Sequence, residues 1–155
     1  MENEELRMYG LVPYNLSPIQ QGIQFGHALQ EYNNDFFGVR DKFEEWSMNW
    51  KTFIILNGGT TNKGLLLGGR VQRLGTLNQH RNCLQENDVE IGTFYEPDLG
   101  NQLTAVVFLV GEKVFNKIKY PDWDNKMVES QIEYNKRFTK QEVFLREFLN
   151  PFKLA

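Results

Sequence analysis

Two apolar runs, Val89–Tyr95 and Leu103–Val110, are joined only by the turn-rich segment Glu-Pro-Asp-Leu-Gly-Asn, Glu96 to Asn101. Parallel strands need a crossover of about a dozen residues, so these two runs must pair antiparallel. Two further apolar runs precede them, Leu6–Tyr14 and Lys51–Leu56, and each is followed by a segment of helical character. A short helix, Glu112–Ile118, comes next and stops before Pro121, and two more helices are expected at about 125–137 and 140–149. This order predicts an α/β fold, a three-layer α/β/α domain with a mixed four-stranded sheet and a C-terminal helical extension. The 155 residues suit one domain, 1–155, with about 119–155 as the added extension.

The clearest helix start is at Ser17. Ser17 is a good N-cap, Pro18 suits the first helical position, and Gln20 completes a Ser-x-x-Gln capping box. The helix is expected to run to about Tyr32 with Ile19, Gly22, Ile23, Gly26 and Leu29 as its core stripe. Each glycine costs about 1 kcal/mol against alanine, which points to close approach of this helix to a sheet or a ligand. Thr76–Gln79 forms a second capping box and Thr139–Glu142 a third. Phe43–Trp50 reads as a helical turn over a core edge. Lys51–Leu56 is nearly all apolar, as expected of a strand covered on both faces. Asn57–Gly69 is glycine-rich but lacks the ending of a P-loop, and it reads as a flexible loop.

Seventeen Lys and Arg against twenty Asp and Glu give a net charge of −3, which excludes a strongly basic nucleic-acid binder but not a local basic patch. The one cysteine, Cys83, cannot close an intramolecular disulfide, and a buried thiol in a reducing compartment is expected. No apolar run approaches about 18 residues. Glu2, Glu4 and Glu5 are the opposite of a signal peptide's basic opening. The expectation is a cytoplasmic protein with no membrane partner. The final helix carries Val143, Phe144, Leu145, Phe148 and Leu149 over a wide arc, so it should pack on more than one surface, and a homodimer is expected.

His27 and His80 lie on different helices, and no spacing of His, Cys or carboxylates suggests a metal, nor any motif a cofactor. No Gly-x-Ser-x-Gly elbow is present. Two features carry chemistry. Gln20, Gln24, His27 and Glu31 form one polar stripe of the first helix, which is either a solvated face or a row that hydrogen-bonds a polar ligand. Glu96 and Asp98 flank Pro97 at a sheet end, where two close carboxylates can act as base and acid or simply make a Pro-Asp turn.

At these two features the chain resembles the type 2 peptidyl-tRNA hydrolases. The segment Leu16-Ser-Pro-Ile-Gln-Gln-Gly-Ile-Gln-Phe-Gly-His-Ala28, after a strand with Tyr-Gly-Leu-Val, is similar to that family's opening, in which a helix ends in Gln-x-x-His-Ala, here Gln24 to Ala28. Val89–Gly111 is similar to its later strand pair, with Glu96 and Thr104 in the places of an acid and of a threonine that opens an apolar strand. The likeness spans roughly residues 7 to 118. Where the family helix has a lysine, this chain has Gln20. Its Glu-Pro-Asp-Leu-Gly-Asn loop is shorter than the family's and has no arginine, so Glu96 and Asp98 both stay candidates for the acid. These departures resemble a divergent, bacteriophage-type branch.

The resemblance implies hydrolysis of the ester between a peptide and the tRNA 3′ end. Glu96 or Asp98 would orient the water. Thr104 and Gln20 would be donors to the substrate or oxyanion, and Gln24 and His27 would bind and position. The partner would be a tRNA 3′ end or a small acyl ligand. The alternative is a non-catalytic binding protein that kept the fold and its cleft.

Overall fold

The computed structural model describes residues 4–36, 41–64, 66–67, 70–71, 73–121 and 137–155. Strand β1 (Leu6–Pro13) leads into helix α1 (Pro18–Phe36), then α2 (Asp41–Glu45) and a π-helical turn, Trp46–Trp50. Strand β2 (Thr52–Gly59) follows, then a two-stranded ribbon of β3 (Leu66–Leu67) and β4 (Arg70–Val71), and helix α3 (Thr76–Glu86). Strand β5 (Gly92–Glu96), a 3-10 turn at Pro97–Leu99, strand β6 (Gln102–Gly111) and α4 (Glu112–Phe115) come next, and α5 (Lys140–Leu149) is last. The expected helix 125–137 lies, but for its last residue, outside the described residues.

The main sheet has the order β2-β1-β6-β5. β1 is parallel to β2 and antiparallel to β6, and β5 is antiparallel to β6. The sheet is therefore mixed and four-stranded, as expected, and the domain is α/β. Side chains alternate across it. Leu6, Met8 and Val12 of β1 pack with Phe25, Ala28 and Tyr32 of α1 and with Trp46. Tyr9 and Leu11 pack on the other face with Leu77 and Leu84 of α3, Val114 of α4 and Leu145 of α5. Helices thus cover both faces.

Helix α1 does not bury the stripe expected of it. Its buried residues are Gln24, Phe25, Ala28 and Tyr32, while Ile19 is 76% exposed and Ile23 45%. Gly22 and Gly26 are exposed, and nothing lies within 4 Å of where a Cβ would stand on either. The helix is turned the other way because Gln24 is hydrogen-bonded at both ends of its amide and can be buried without loss. The glycines that permit close approach are in the sheet. A Cβ on Gly10 would stand 2.2 Å from the ring of Phe25, and one on Gly92 would stand 2.5 Å from the carbonyl of Ala28.

Three other expectations give way. β2 is an edge strand, with Phe53 51% exposed, so it is not covered on both faces. Its outer edge is met by the chain's last residues: Asn57 N–H donates to the Lys153 carbonyl and Ala155 N–H to the Ile55 carbonyl, each at 2.9 Å. The glycine-rich stretch is not simply a flexible loop. Residues 57–59 continue β2, and Asn78 Oδ1 accepts from the Asn62 backbone N–H at 2.8 Å, tying the next turn to α3. The Thr76 capping box is not made, because Thr76 Oγ1 accepts from Thr60 N–H and donates to the Gly58 carbonyl, so Gly75 is the N-cap. By contrast, Thr139 and Glu142 make both halves of theirs.

Most of the apolar arc of α5 packs within the chain. Phe144, Leu145, Phe148 and Leu149 pack on the α3 face of the sheet, together with Phe152. His80 meets the rings of Phe148 and Phe152 there, and burial pushes its pKa down. Cys83 is half-buried rather than buried. Desolvation and the charge of Glu86 push its thiol up, so it stays protonated at neutral pH. No helix among the described residues is long and apolar enough to cross a membrane.

Candidate functional site

The site begins with an irregularity in a ladder. Phe94 pairs with Ala105, but Tyr95 pairs with Leu103, so Thr104 is the extra residue of a β-bulge. A bulge turns a side chain away from the ordinary alternation. Here it directs Thr104, 1% exposed, toward α1. Phe25, seated over Gly10, sets the rotation of α1, and its neighbour Gln24 is thereby placed over Thr104.

Three side chains then join in one line. Gln24 Nε2 donates to Glu96 Oε2 at 2.9 Å, and Thr104 Oγ1 donates to Gln24 Oε1 at 2.5 Å. The direction follows from chemistry. An ionised carboxylate only accepts, so Gln24 must turn its NH2 group to Glu96 and its oxygen to Thr104. The Thr104 hydroxyl has one proton. The Phe94 carbonyl is 3.4 Å away, and the much shorter bond to Gln24 takes it. Thr104 thus positions Gln24, and Gln24 holds Glu96.

Glu96 is half-exposed at the end of β5. Its other oxygen accepts from the Asp98 backbone N–H at 3.3 Å. The Gln24 amide, then the Asp98 N–H, and last the nearby charge of His27 hold its carboxyl below the ordinary glutamate value, against a smaller opposing effect of desolvation. The group is ionised throughout the neutral range. A folded-state value below the unfolded one contributes stability at higher pH that is lost as pH falls through the folded value. Carboxyl NMR should therefore place the Glu96 midpoint below 4.5, the ordinary value. In Gln24→Ala it should move up toward that value. An unmoved midpoint would show that the amide does not hold the charge.

Neither a protein-family model nor a curated protein matches the chain.

Of the residues singled out in the sequence, Gln24, Glu96 and Thr104 meet directly. His27 is exposed and stacks on Phe94, with ring centroids 4.4 Å apart and planes at 18°. Phe94 is the residue opposite the bulge, so His27 borders the same cluster. Asp98 enters through its backbone N–H, and its side chain is exposed. Gln20 lies one turn before Gln24. Its backbone N–H donates to Ser17 Oγ at 3.2 Å, which makes the N-cap, while its side chain is exposed. Glu31 is exposed farther along α1.

Two contributors have no signature in the sequence. One is the bulge, since nothing in Gln102–Thr104 marks an unpaired residue. The other is Lys63, whose Nζ donates to the Gly100 carbonyl at 2.6 Å and ties the loop after β2 to the turn that follows Glu96. Among the described residues, no group of three or more His, Cys, Asp or Glu is placed to hold a metal ion.

Proposed function

We propose that the chain is a peptidyl-tRNA-hydrolase-like protein that binds the acylated 3′ end of tRNA and hydrolyses its ester slowly. The observation that carries this reading is the Thr104–Gln24–Glu96 chain, which holds an ionised, partly exposed carboxylate, with the exposed residues Gln20 and His27 one turn to either side of Gln24 on α1. In this reading Glu96 orients the attacking water. The water adds to the ester carbonyl, the bond to the ribose oxygen breaks, and the water's proton ends on that oxygen. Gln24 and Thr104 hold Glu96, while Gln20 and His27 face the substrate. Asp98 supports Glu96 through its main chain. Such a substrate belongs to the cytoplasm.

Two features keep the reaction slow. A carboxylate with a depressed pKa is a weak base. Gln20 offers only a neutral donor to the developing oxyanion, where a lysine would give a charge-assisted bond about twice as strong. Hydrolysis of N-acetylaminoacyl-tRNA by the purified protein should thus fall well below a typical enzyme's rate of about 10 s⁻¹. Gln20→Lys should raise kcat about tenfold, as expected for about 1.4 kcal/mol gained in the transition state. If neither protein turns over the ester or binds the tRNA 3′ end, the reading is wrong. Binding without turnover in both would identify a binding protein that kept the cleft.

A further inference from the structure

A recess opens at the carboxyl end of β2, on the α3 side of the sheet. Its volume is about 330 Å³, within the range of small-ligand sites, about 300–1,000 Å³. β2 contributes Asn57, α3 contributes His80, and the final segment of the chain contributes Phe152 and Lys153. β2 runs parallel to β1, and the carboxyl ends of parallel strands are where open α/β sheets take their ligands.

Three side chains here have hydrogen-bonding capacity that the protein does not use. His80 is half-buried and meets the rings of Phe148 and Phe152 edge-on. Among the described residues neither nitrogen of its ring has a hydrogen-bond partner, although polar atoms taken out of water ordinarily have one. Burial keeps the imidazole neutral near pH 7, so one nitrogen donates and the other accepts. The Asn57 side chain accepts from Gly59 N–H through Oδ1, but its Nδ2 donates to no described residue. Lys153 is bonded through its carbonyl to Asn57 N–H, and its ammonium is paired with no described carboxylate. No Asp or Glu is among the described residues that line the recess.

The backbone amides nearby are already used. Gly59 N–H donates to Asn57 Oδ1, Thr60 N–H to Thr76 Oγ1 and Leu77 N–H to the Thr60 carbonyl. A ligand must therefore be held by side chains. Donors outnumber acceptors among these, and one of them is charged, so the matching ligand is an acceptor-rich anion. The donors come from three directions: β2, α3 and the final segment. The two oxygens of a carboxylate lie in one plane, whereas the three acceptor oxygens of a phosphate ester point three ways. We propose that this recess binds a small organic phosphate monoester. Its oxygens accept from His80, Asn57 and Lys153, and its organic part lies against the ring of Phe152. The site is separate from the Thr104–Gln24–Glu96 cluster and does not depend on its function.

The test uses the full chain with three probes: phenyl phosphate, inorganic phosphate and benzoate. Binding is followed by calorimetry and by NMR of the backbone amides and of the His80 ring. Phenyl phosphate is expected to bind one to one and to shift the His80 ring signals and the amides of Asn57 and Lys153. Inorganic phosphate lacks the ring and benzoate lacks the third oxygen, so each should bind about tenfold more weakly. Lys153 is exposed, so Lys153→Gln should keep the fold and weaken phenyl phosphate binding by about threefold to tenfold. His80→Phe keeps an aromatic ring against Phe148 and Phe152 but removes the donor, and should weaken binding by about tenfold. No binding, equal affinity for the three probes, shifts centred on Gln24 and Thr104, or full affinity in either variant would each overturn the proposal.

Discussion

Gly92→Ala is expected to lower stability by about 1–3 kcal/mol, as overpacking of a close contact does. The added Cβ would stand 2.5 Å from the Ala28 carbonyl oxygen, 2.6 Å from the Tyr32 Cβ and 2.9 Å from the Tyr32 nitrogen. Two of these three are main-chain atoms of α1, so no side-chain rotation relieves the clash, and the helix must move off β5. Because α1 carries Gln24, the displacement should also loosen the Gln24–Glu96 bond and raise the Glu96 midpoint. Gly22→Ala and Gly26→Ala are the controls. Their positions are open, so each should gain about 1 kcal/mol from helix propensity. Urea unfolding of the three variants is the measurement. A neutral Gly92→Ala, or destabilising changes at Gly22 and Gly26, would mean that α1 does not sit on the sheet as described.

Gln24→Leu should abolish the proposed ester hydrolysis while leaving the protein folded. Leucine is of similar size but offers no amide, so the Thr104 hydroxyl and the Glu96 carboxylate are disconnected. The buried Thr104–Gln24 bond alone accounts for about 1 kcal/mol of stability. The Thr104 hydroxyl can turn to the Phe94 carbonyl, 3.4 Å away, and recover part of that. Glu96 has no such substitute on α1. The stability gap between wild type and variant should therefore be widest at neutral pH and narrow as pH falls through the Glu96 value of the wild-type fold. Thermal melts at several pH values, with single-turnover hydrolysis alongside, measure both effects. A variant that hydrolyses like the wild type would remove Gln24 from the mechanism. A gap that stays constant with pH would show that the amide does not act through the carboxylate.

The order of elements was legible because local signals agreed with the final packing. The turn residues between Glu96 and Asn101 are too few for a crossover, and β5 and β6 do pair antiparallel. The Thr139 and Glu142 capping box formed because both side chains are free to meet. The Thr76 box did not form, because that hydroxyl is claimed by Thr60 and Gly58, partners distant in sequence. The buried face of α1 is hidden from the sequence for a similar reason. Ile19 and Ile23 are more apolar than Gln24, and apolarity alone assigns them to the core. What buries Gln24 is a pair of partners on β5 and β6, far along the chain, which no local pattern reveals. Glu96 and Thr104 were marked by resemblance and by their place at a sheet end. Their connection through Gln24 depends on a bulge that only the ladder makes visible.

The strand pairing also sets a timetable for synthesis. β1 lies between β2 and β6, and its register with β6 joins Leu6 to Gly111, about a hundred residues apart. At about 5–20 residues per second a ribosome takes roughly 5–20 s to cover that distance. For that interval one long side of an apolar strand has no native neighbour, and afterwards the outer side of β2 still waits for residues 153 to 155. The nascent chain thus carries β1 with one side unpaired until β6 has been made. The main sheet is consequently completed only after β6 and residues 153 to 155 have been made.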